Sequence, residues 1–229
     1  MLWSILLFLS CQTAITTDSE VTTVEFFRTT AHSRGIRHAV SSSVVIGCFK
    51  EGEFVSKGSG NYLKVGGKKF ILTANHVTND CDEIQLKNRL TSAVTAEVIH
   101  ADEKRDVAVL RPEQELYDVE AIEYQPRDPD LGERVYFMGH PDEIEFFLFE
   151  GLVSLDAARD FFLHSTGWGG VSGAVVFSRT GRVFGVTKAV KVTFSPATGF
   201  PRLLEDMVLV SKVNYLTRDK IRELMDGEK

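Results

Sequence analysis

Downstream of residue 30 the chain alternates short apolar runs with turn residues. "AVSSSVVIGCF", "GNYLKV", "KKFILTA", "EIQLK", "TAEVIHA" and "DVAVLR" are rich in β-branched and aromatic side chains, and Gly-containing or charged turns such as "EGEF" and "VGGK" link them. Runs of that length and composition predict strands. A second set follows: "RVYFMGH", "FFLFEGLVSL", "DFFLHS", "GAVVFS", "RVFGVTKAV" and "MVLVSKV". Between the sets lies "LRPEQELYDVEAIEYQPRDPDLGE", acidic and carrying three prolines, which reads as a connection between two lobes. Only the tail has a helical period. Thr217 suits an N-cap, Ile221, Leu224 and Met225 share one face, and Gly227 suits the stop. The predicted fold is therefore all-β: two six-stranded antiparallel β-barrels with a short C-terminal helix. The expected domains are an N-terminal barrel over 30–118, a C-terminal barrel over 128–215 and a helix over 216–229.

The N-terminus, "MLWSILLFLSCQTAITTDSE", carries an apolar run from Leu2 to Leu9 that is too short to span a bilayer but suits the centre of a secretory signal, although no Lys or Arg precedes it. Residues 1–15 are thus expected to be a signal or membrane-anchor segment, and the mature protein to be secreted or periplasmic. Cys11 raises a lipoprotein cleavage site, which Phe8 and Leu9 fit poorly. Without Cys11, Cys48 and Cys81 remain. They form either a disulfide or two buried free thiols, and the reading leans to the thiols.

With 229 residues, 43% of them hydrophobic, the chain has material for one compact domain or two small lobes around a real core. Its net charge of -6, with no long basic run, argues against a nucleic-acid partner. There is no CxxC, no HExxH, and the six histidines are scattered. Neither a metal nor a cofactor is expected.

Chemistry enters with "HSTGWGGVSGAVVFSRTGRVFGV", where Ser172 sits among glycines just ahead of a buried run. A serine there is either a nucleophile or the polar member of a hairpin loop. A nucleophilic serine needs a histidine to take its proton and a carboxylate to orient that histidine. No histidine follows Ser172, which excludes the α/β-hydrolase order, and Ala174 breaks the G-x-S-x-G elbow. The only aspartate ahead of His76 is Asp18, in the N-terminal tail, which disfavours the subtilisin order. The order His, Asp, Ser remains. His76 in "FILTANHVTND" ends an apolar strand, and Asp106 immediately precedes "VAVLRP", so all three candidates stand at strand ends.

At these residues the chain resembles the chymotrypsin-fold serine peptidases, especially the short bacterial trypsin-like, glutamyl-endopeptidase-like and HtrA-like branch. The matching features are "GSGNYL" ahead of "ILTANHV", then "RDVAVLR", "LGERVYFMGHP", "GLVS", "GGVSGAVVFSRTGRVFGV" and the closing strand with its helix. Viral polyprotein-processing peptidases share the fold and a similar approach to the serine. The resemblance implies a serine endopeptidase in which His76 is general base, Asp106 its orienting acid and Ser172 the nucleophile, with the backbone N–H groups of Gly170 and Ser172 forming an oxyanion hole. It implies a peptide or protein substrate, with membrane attachment only through the N-terminal segment. Two further readings stay open: a viral processing peptidase, and an inactive homologue that binds peptides.

Two residues depart from the family's usual pattern. Val171 stands where digestive members carry an acid that traps a freed N-terminus, so burial of Val171 and of the strand behind it is expected to hold the loop instead. Ala174 replaces a usual glycine. By analogy the primary specificity pocket has its floor near Thr166 and one wall at Thr187, Lys188, Ala189 and Val190. With no acid on that floor and a threonine at 187, a small or medium uncharged side chain is the expected preference. Among Phe146, Phe147, Phe149, Phe161 and Phe162 most are expected in the core, and His140 and His164 have no partner that the sequence names.

Overall fold

The computed structural model describes residues 33–88, 93–141, 144–194 and 201–227, so the N-terminal segment with Cys11 lies outside the described residues. Strands β1 (Ser43–Lys50), β2 (Glu53–Val65), β3 (Lys68–Thr73), β4 (Glu83–Lys87), β5 (Val94–Asp102) and β6 (Val107–Pro112) form the first barrel. Their order is β1-β4-β5-β6-β3-β2, and β2 returns to β1 to close the ring. β1 pairs with β2 only as far as Asn61. That leaves an open edge at Leu63 and Lys64, where the short strand β7 (Ile122–Glu123) adds in parallel.

Strands β8 (Arg134–Gly139), β9 (Phe147–Asp156), β10 (Asp160–His164), β11 (Val175–Ser178), β12 (Val183–Phe194) and β13 (Pro201–Lys212) close the second barrel in the order β10-β13-β12-β11-β8-β9. Among the described residues three helices accompany the barrels: α1 (Arg34–Ser42), α2 (Asn75–Thr78) and α3 (Arg218–Asp226). In α3 the Thr217 side chain accepts from the Lys220 N–H, and Gly227 ends the helix at φ 68°. Both caps fall where the sequence placed them.

The apolar runs are explained by which cores they serve. Val176 and Ala174 pack inside the second barrel with Phe137, Phe149 and Phe161. Their neighbours Val175 and Phe177 turn the other way, into a core continuous with the first barrel. β11 is therefore apolar on both faces, as a strand lying between two cores must be. Asn61 adds a polar tie between the lobes, donating to Ser42 Oγ at 2.8 Å and accepting from the Val175 N–H at 2.9 Å.

In two places the elements depart from the apolar pattern. "AVSSSVVIGCF" reads as one strand, yet α1 runs through Ser42 and β1 begins at Ser43. Ser33 caps this helix by accepting from the Ile36 N–H at 3.1 Å. A Cβ on Gly35 would lie 2.1 Å from the Ser178 carbonyl, so that glycine lets α1 lie directly against the second barrel. At the other end, β12 and β13 extend as far as the Phe194–Pro201 pairing, beyond the runs legible in the sequence.

The expected free thiols are overturned: Cys48 and Cys81 form a disulfide with Cα atoms 5.4 Å apart. It joins β1 to the segment leaving α2. Closing a loop of sequence separation 33 stabilises a fold by about 3–4 kcal/mol. Cys81→Ser is expected to lower unfolding free energy by roughly that amount, and reductant should have the same effect on the parent but none on the variant. Denaturant titration of both proteins, with and without reductant, checks it.

Candidate active site

The buried strand β3 ends at Thr73, and α2 follows after Ala74, which provides no side-chain cap. Val77 is buried and anchors this single turn, leaving His76 half-exposed. The His76 backbone N–H donates to Asp106 Oδ1 at 2.8 Å, and Nδ1 lies 2.7 Å from Asp106 Oδ2. A carboxylate only accepts, so Nδ1 carries the proton and Nε2 is left as the basic nitrogen. One carboxylate thus fixes the position, ring orientation and tautomer of His76.

Asp106 sits one residue before β6, at φ 57°. Aspartate is among the few residues that tolerate this left-handed conformation. The turn is held from several directions. The Arg105 N–H donates to Asp102 Oδ1 at 3.1 Å, Ser211 Oγ donates to the Arg105 carbonyl, and the Arg105 guanidinium lies 4.0 Å over the Tyr215 ring. Burial on its own would raise the Asp106 carboxyl. Hydrogen bonds from the His76 ring and backbone, with the His76 and Lys188 charges, outweigh it and hold the group below the ordinary aspartate value.

Ser172 is carried by a loop whose glycines are required by its surroundings. Gly170 has φ 86°, and a Cβ there would lie 2.4 Å from the His140 carbonyl; Gly173 has φ 92°, and a Cβ there would lie 2.0 Å from the Ser59 carbonyl. Val171 is buried in the core of the second barrel. The Thr187 hydroxyl donates to the Val171 carbonyl at 2.6 Å, and the Gly173 N–H to the Thr187 carbonyl at 2.7 Å. These contacts tie the loop to β12. Among the described residues, neither Ser172 Oγ nor the N–H groups of Gly170 and Ser172 form a hydrogen bond.

Ser172 and α2 meet at Gly58. A Cβ on that glycine would lie 2.6 Å from both Val77 methyls and 3.0 Å from the Ser172 carbonyl, and the adjacent Ser59 N–H donates to the same carbonyl at 2.7 Å. No hydrogen bond joins the Ser172 hydroxyl to His76 among the described residues; such contacts commonly tighten only when substrate binds. Beside Ser172 lies a small pocket of about 20 Å³, lined by Gly167, Trp168, Val171, Ser172, Thr187, Ala189 and Val208.

Of the proposed pocket residues, Thr187 and Ala189 line this cavity. Thr166 is exposed and is not part of the lining. Lys188 is instead paired with Asp160 at 3.0 Å, and Val190 lies opposite Val208 in the β12–β13 ladder. Phe149 and Phe161 are core residues, His164 is exposed, and His140 is fully buried. Trp168 and Ser59 had no assigned role. A tryptophan inside a glycine-rich loop and a serine between two glycines are the signals each left in the sequence.

With the geometry in view, the chain can be compared with known proteins. The profile of the trypsin-like peptidase domain family matches residues 58–186. A probable periplasmic serine endoprotease, DegP-like, from Hahella chejuensis is 35% identical over 102 residues, which is 44% of this chain and 21% of that protein. The serine endoprotease from Yersinia pestis superposes with a TM-score of 0.63 at 20% identity, covering 85% of this chain and 66% of that one. The HtrA-type protease AlgW with a tripeptide superposes with a TM-score of 0.65 at 19% identity, covering 85% and 64%. The chain thus spans about a fifth of the curated relative and about two thirds of these solved structures.

Proposed function

Because the chain belongs to the trypsin-like peptidase domain family, we propose that it is a serine endopeptidase with His76, Asp106 and Ser172 as its triad. The observation that carries this reading is the two-point grip of Asp106 on His76, which leaves Nε2 as the basic nitrogen. Nε2 takes the Ser172 proton as Oγ attacks the scissile carbonyl. The tetrahedral oxyanion is received by the N–H groups of Gly170 and Ser172. His76 then returns the proton to the leaving amine, and water hydrolyses the acyl-enzyme by the same route. Covalent labelling of Ser172 by a fluorophosphonate, abolished by prior denaturation, tests the reading directly.

The pocket supports a small uncharged side chain ahead of the scissile bond. Its volume of about 20 Å³ has room for little more than a water-sized group, and its lining is free of charged side chains. Trp168 forms one wall. Its ring lies 5.5 Å from Phe147 and 6.0 Å from Phe149, and Phe149 stacks at 5.0 Å on the buried Phe137. The indole is therefore braced against the second barrel. Trp168→Ala is expected to raise kcat/KM for a leucine substrate relative to the matched alanine substrate by about tenfold. An unchanged ratio would remove Trp168 from specificity.

The disulfide supports action in an oxidising compartment, in agreement with a secreted or periplasmic location. Among the described residues no helix is long and apolar enough to cross a membrane.

A further inference from the structure

Val171 offers no charge to organise the oxyanion loop, and its burial fixes a side chain without fixing the planes of the peptides beside it. The Gly170 N–H lies in the Gly169–Gly170 peptide and the Ser172 N–H in the Val171–Ser172 peptide, so the Gly170–Val171 and Ser172–Gly173 peptides, joined to them at the Gly170 and Ser172 Cα atoms, limit how far either donor can turn. Both residues are pinned through their carbonyl oxygens to a single residue of the other lobe. Ser59 Oγ donates to the Gly170 carbonyl at 2.8 Å, and the Ser59 N–H donates to the Ser172 carbonyl at 2.7 Å. Ser59 is itself fully buried in β2, and its carbonyl accepts from Thr73 Oγ1 at 2.7 Å.

The direction of the Ser59 hydroxyl is also set. The His140 backbone N–H donates to Ser59 Oγ at 3.1 Å, so the hydroxyl accepts on that side and its own proton is turned to Gly170. His140 is held in turn. Its Nδ1 accepts from the Phe146 N–H at 2.9 Å, which leaves Nε2 protonated to donate to Ser43 Oγ at 3.0 Å. The His140 carbonyl closes the opposite side of Gly170, where it excludes any Cβ. A buried carbonyl deprived of its donor is costly, so the Gly170–Val171 peptide has one favoured orientation while Ser59 Oγ is present.

We propose that Ser59 is the positioning residue of the oxyanion loop, holding the Gly170–Val171 and Ser172–Gly173 peptides by their carbonyls and so restricting the adjoining peptides that carry the two N–H donors, with His140 as the group that aims its hydroxyl. The inference rests on the peptidase reading for its catalytic consequence. The loop is thereby organised from the first lobe by neutral hydrogen bonds.

The test is Ser59→Ala, which removes one oxygen and leaves the backbone bond to Ser172 intact. We expect kcat to fall ten- to a hundredfold with KM changed by less than twofold, and a peptide boronic acid, which presents a tetrahedral oxyanion, to bind weaker by the same factor as kcat falls. Amide hydrogen exchange over residues 168–173 should quicken at least tenfold while the strands β3 and β6 exchange as in the parent. A kcat within twofold of the parent, or equal weakening of the boronate and of an uncleaved peptide amide, overturns the proposal. A parent that fails to react with a fluorophosphonate defeats the peptidase reading instead, and the exchange comparison then decides by itself whether Ser59 holds the loop. Unchanged exchange overturns it.

Discussion

Ser172→Ala is expected to lower kcat/KM on a peptide substrate by about 100,000-fold or more, with His76→Ala close behind and the double variant no worse than either. The three residues act as a unit: without Oγ there is nothing for Nε2 to deprotonate, and without Nε2 the hydroxyl stays a poor nucleophile. Asp106→Asn should cost about 10,000-fold, because an amide can donate to His76 Nδ1 and so favour the wrong tautomer. That variant carries a second signature. The Asp106 carboxyl is held below its ordinary value in the folded protein, so its stabilising contribution is full above the unfolded value and is lost as pH falls through the lower folded one. The asparagine variant should lose that share of the acid dependence of unfolding. Steady-state kinetics of the four variants and acid titrations of the parent and Asp106→Asn check these outcomes. Unchanged turnover in Ser172→Ala defeats the triad, and a folded parent that binds peptides without labelling at Ser172 supports the inactive binding module.

Gly170→Ala is expected to cost about 100- to 1,000-fold in kcat, the usual consequence of losing one oxyanion donor. Two effects act together. A φ of 86° is strained for any residue with a side chain, and the new Cβ would meet the His140 carbonyl at 2.4 Å. The loop must shift, and the N–H moves with it. Gly52→Ala is the control, since Gly52 also has a positive φ of 81° but nothing lies within 4 Å of its Cβ position. It should lose some stability and keep its activity. If both variants retain the parental kcat, the N–H of Gly170 has no part in catalysis.

The strands, the two-lobe division and the C-terminal helix were legible because each is written in local periodicity and turn chemistry. Strand β6 is a run of buried residues, and α3 begins and ends on its own caps. Helix α1 was not legible. "AVSSSVV" has the composition of a strand, and what makes its first part helical is the Ser33 cap together with the packing of Gly35 on Ser178. The three candidate catalytic residues were legible from their order and their strand-end positions. Lys188, by contrast, read as a pocket wall, and its engagement with Asp160 depends on a strand 28 positions earlier in the chain.

By itself the sequence determined which residue types were available and at which strand ends they stand: a histidine after β3, an aspartate before β6 and a serine in a glycine-rich loop. It also put glycines at 170 and 173, where a positive φ carries no side-chain penalty. Tertiary structure decided what those residues face. The closure of two cysteines into a bridge, the choice of Trp168 as a pocket wall, and the attachment of the Gly170 and Ser172 carbonyls to Ser59 all depend on atoms from segments tens of residues apart. Local patterning records whether a side chain is buried and which backbone conformations it favours. It carries no record of the partner across an interface, because barrel closure and lobe packing set those distances, and many sequences with the same periodicity would place different atoms there.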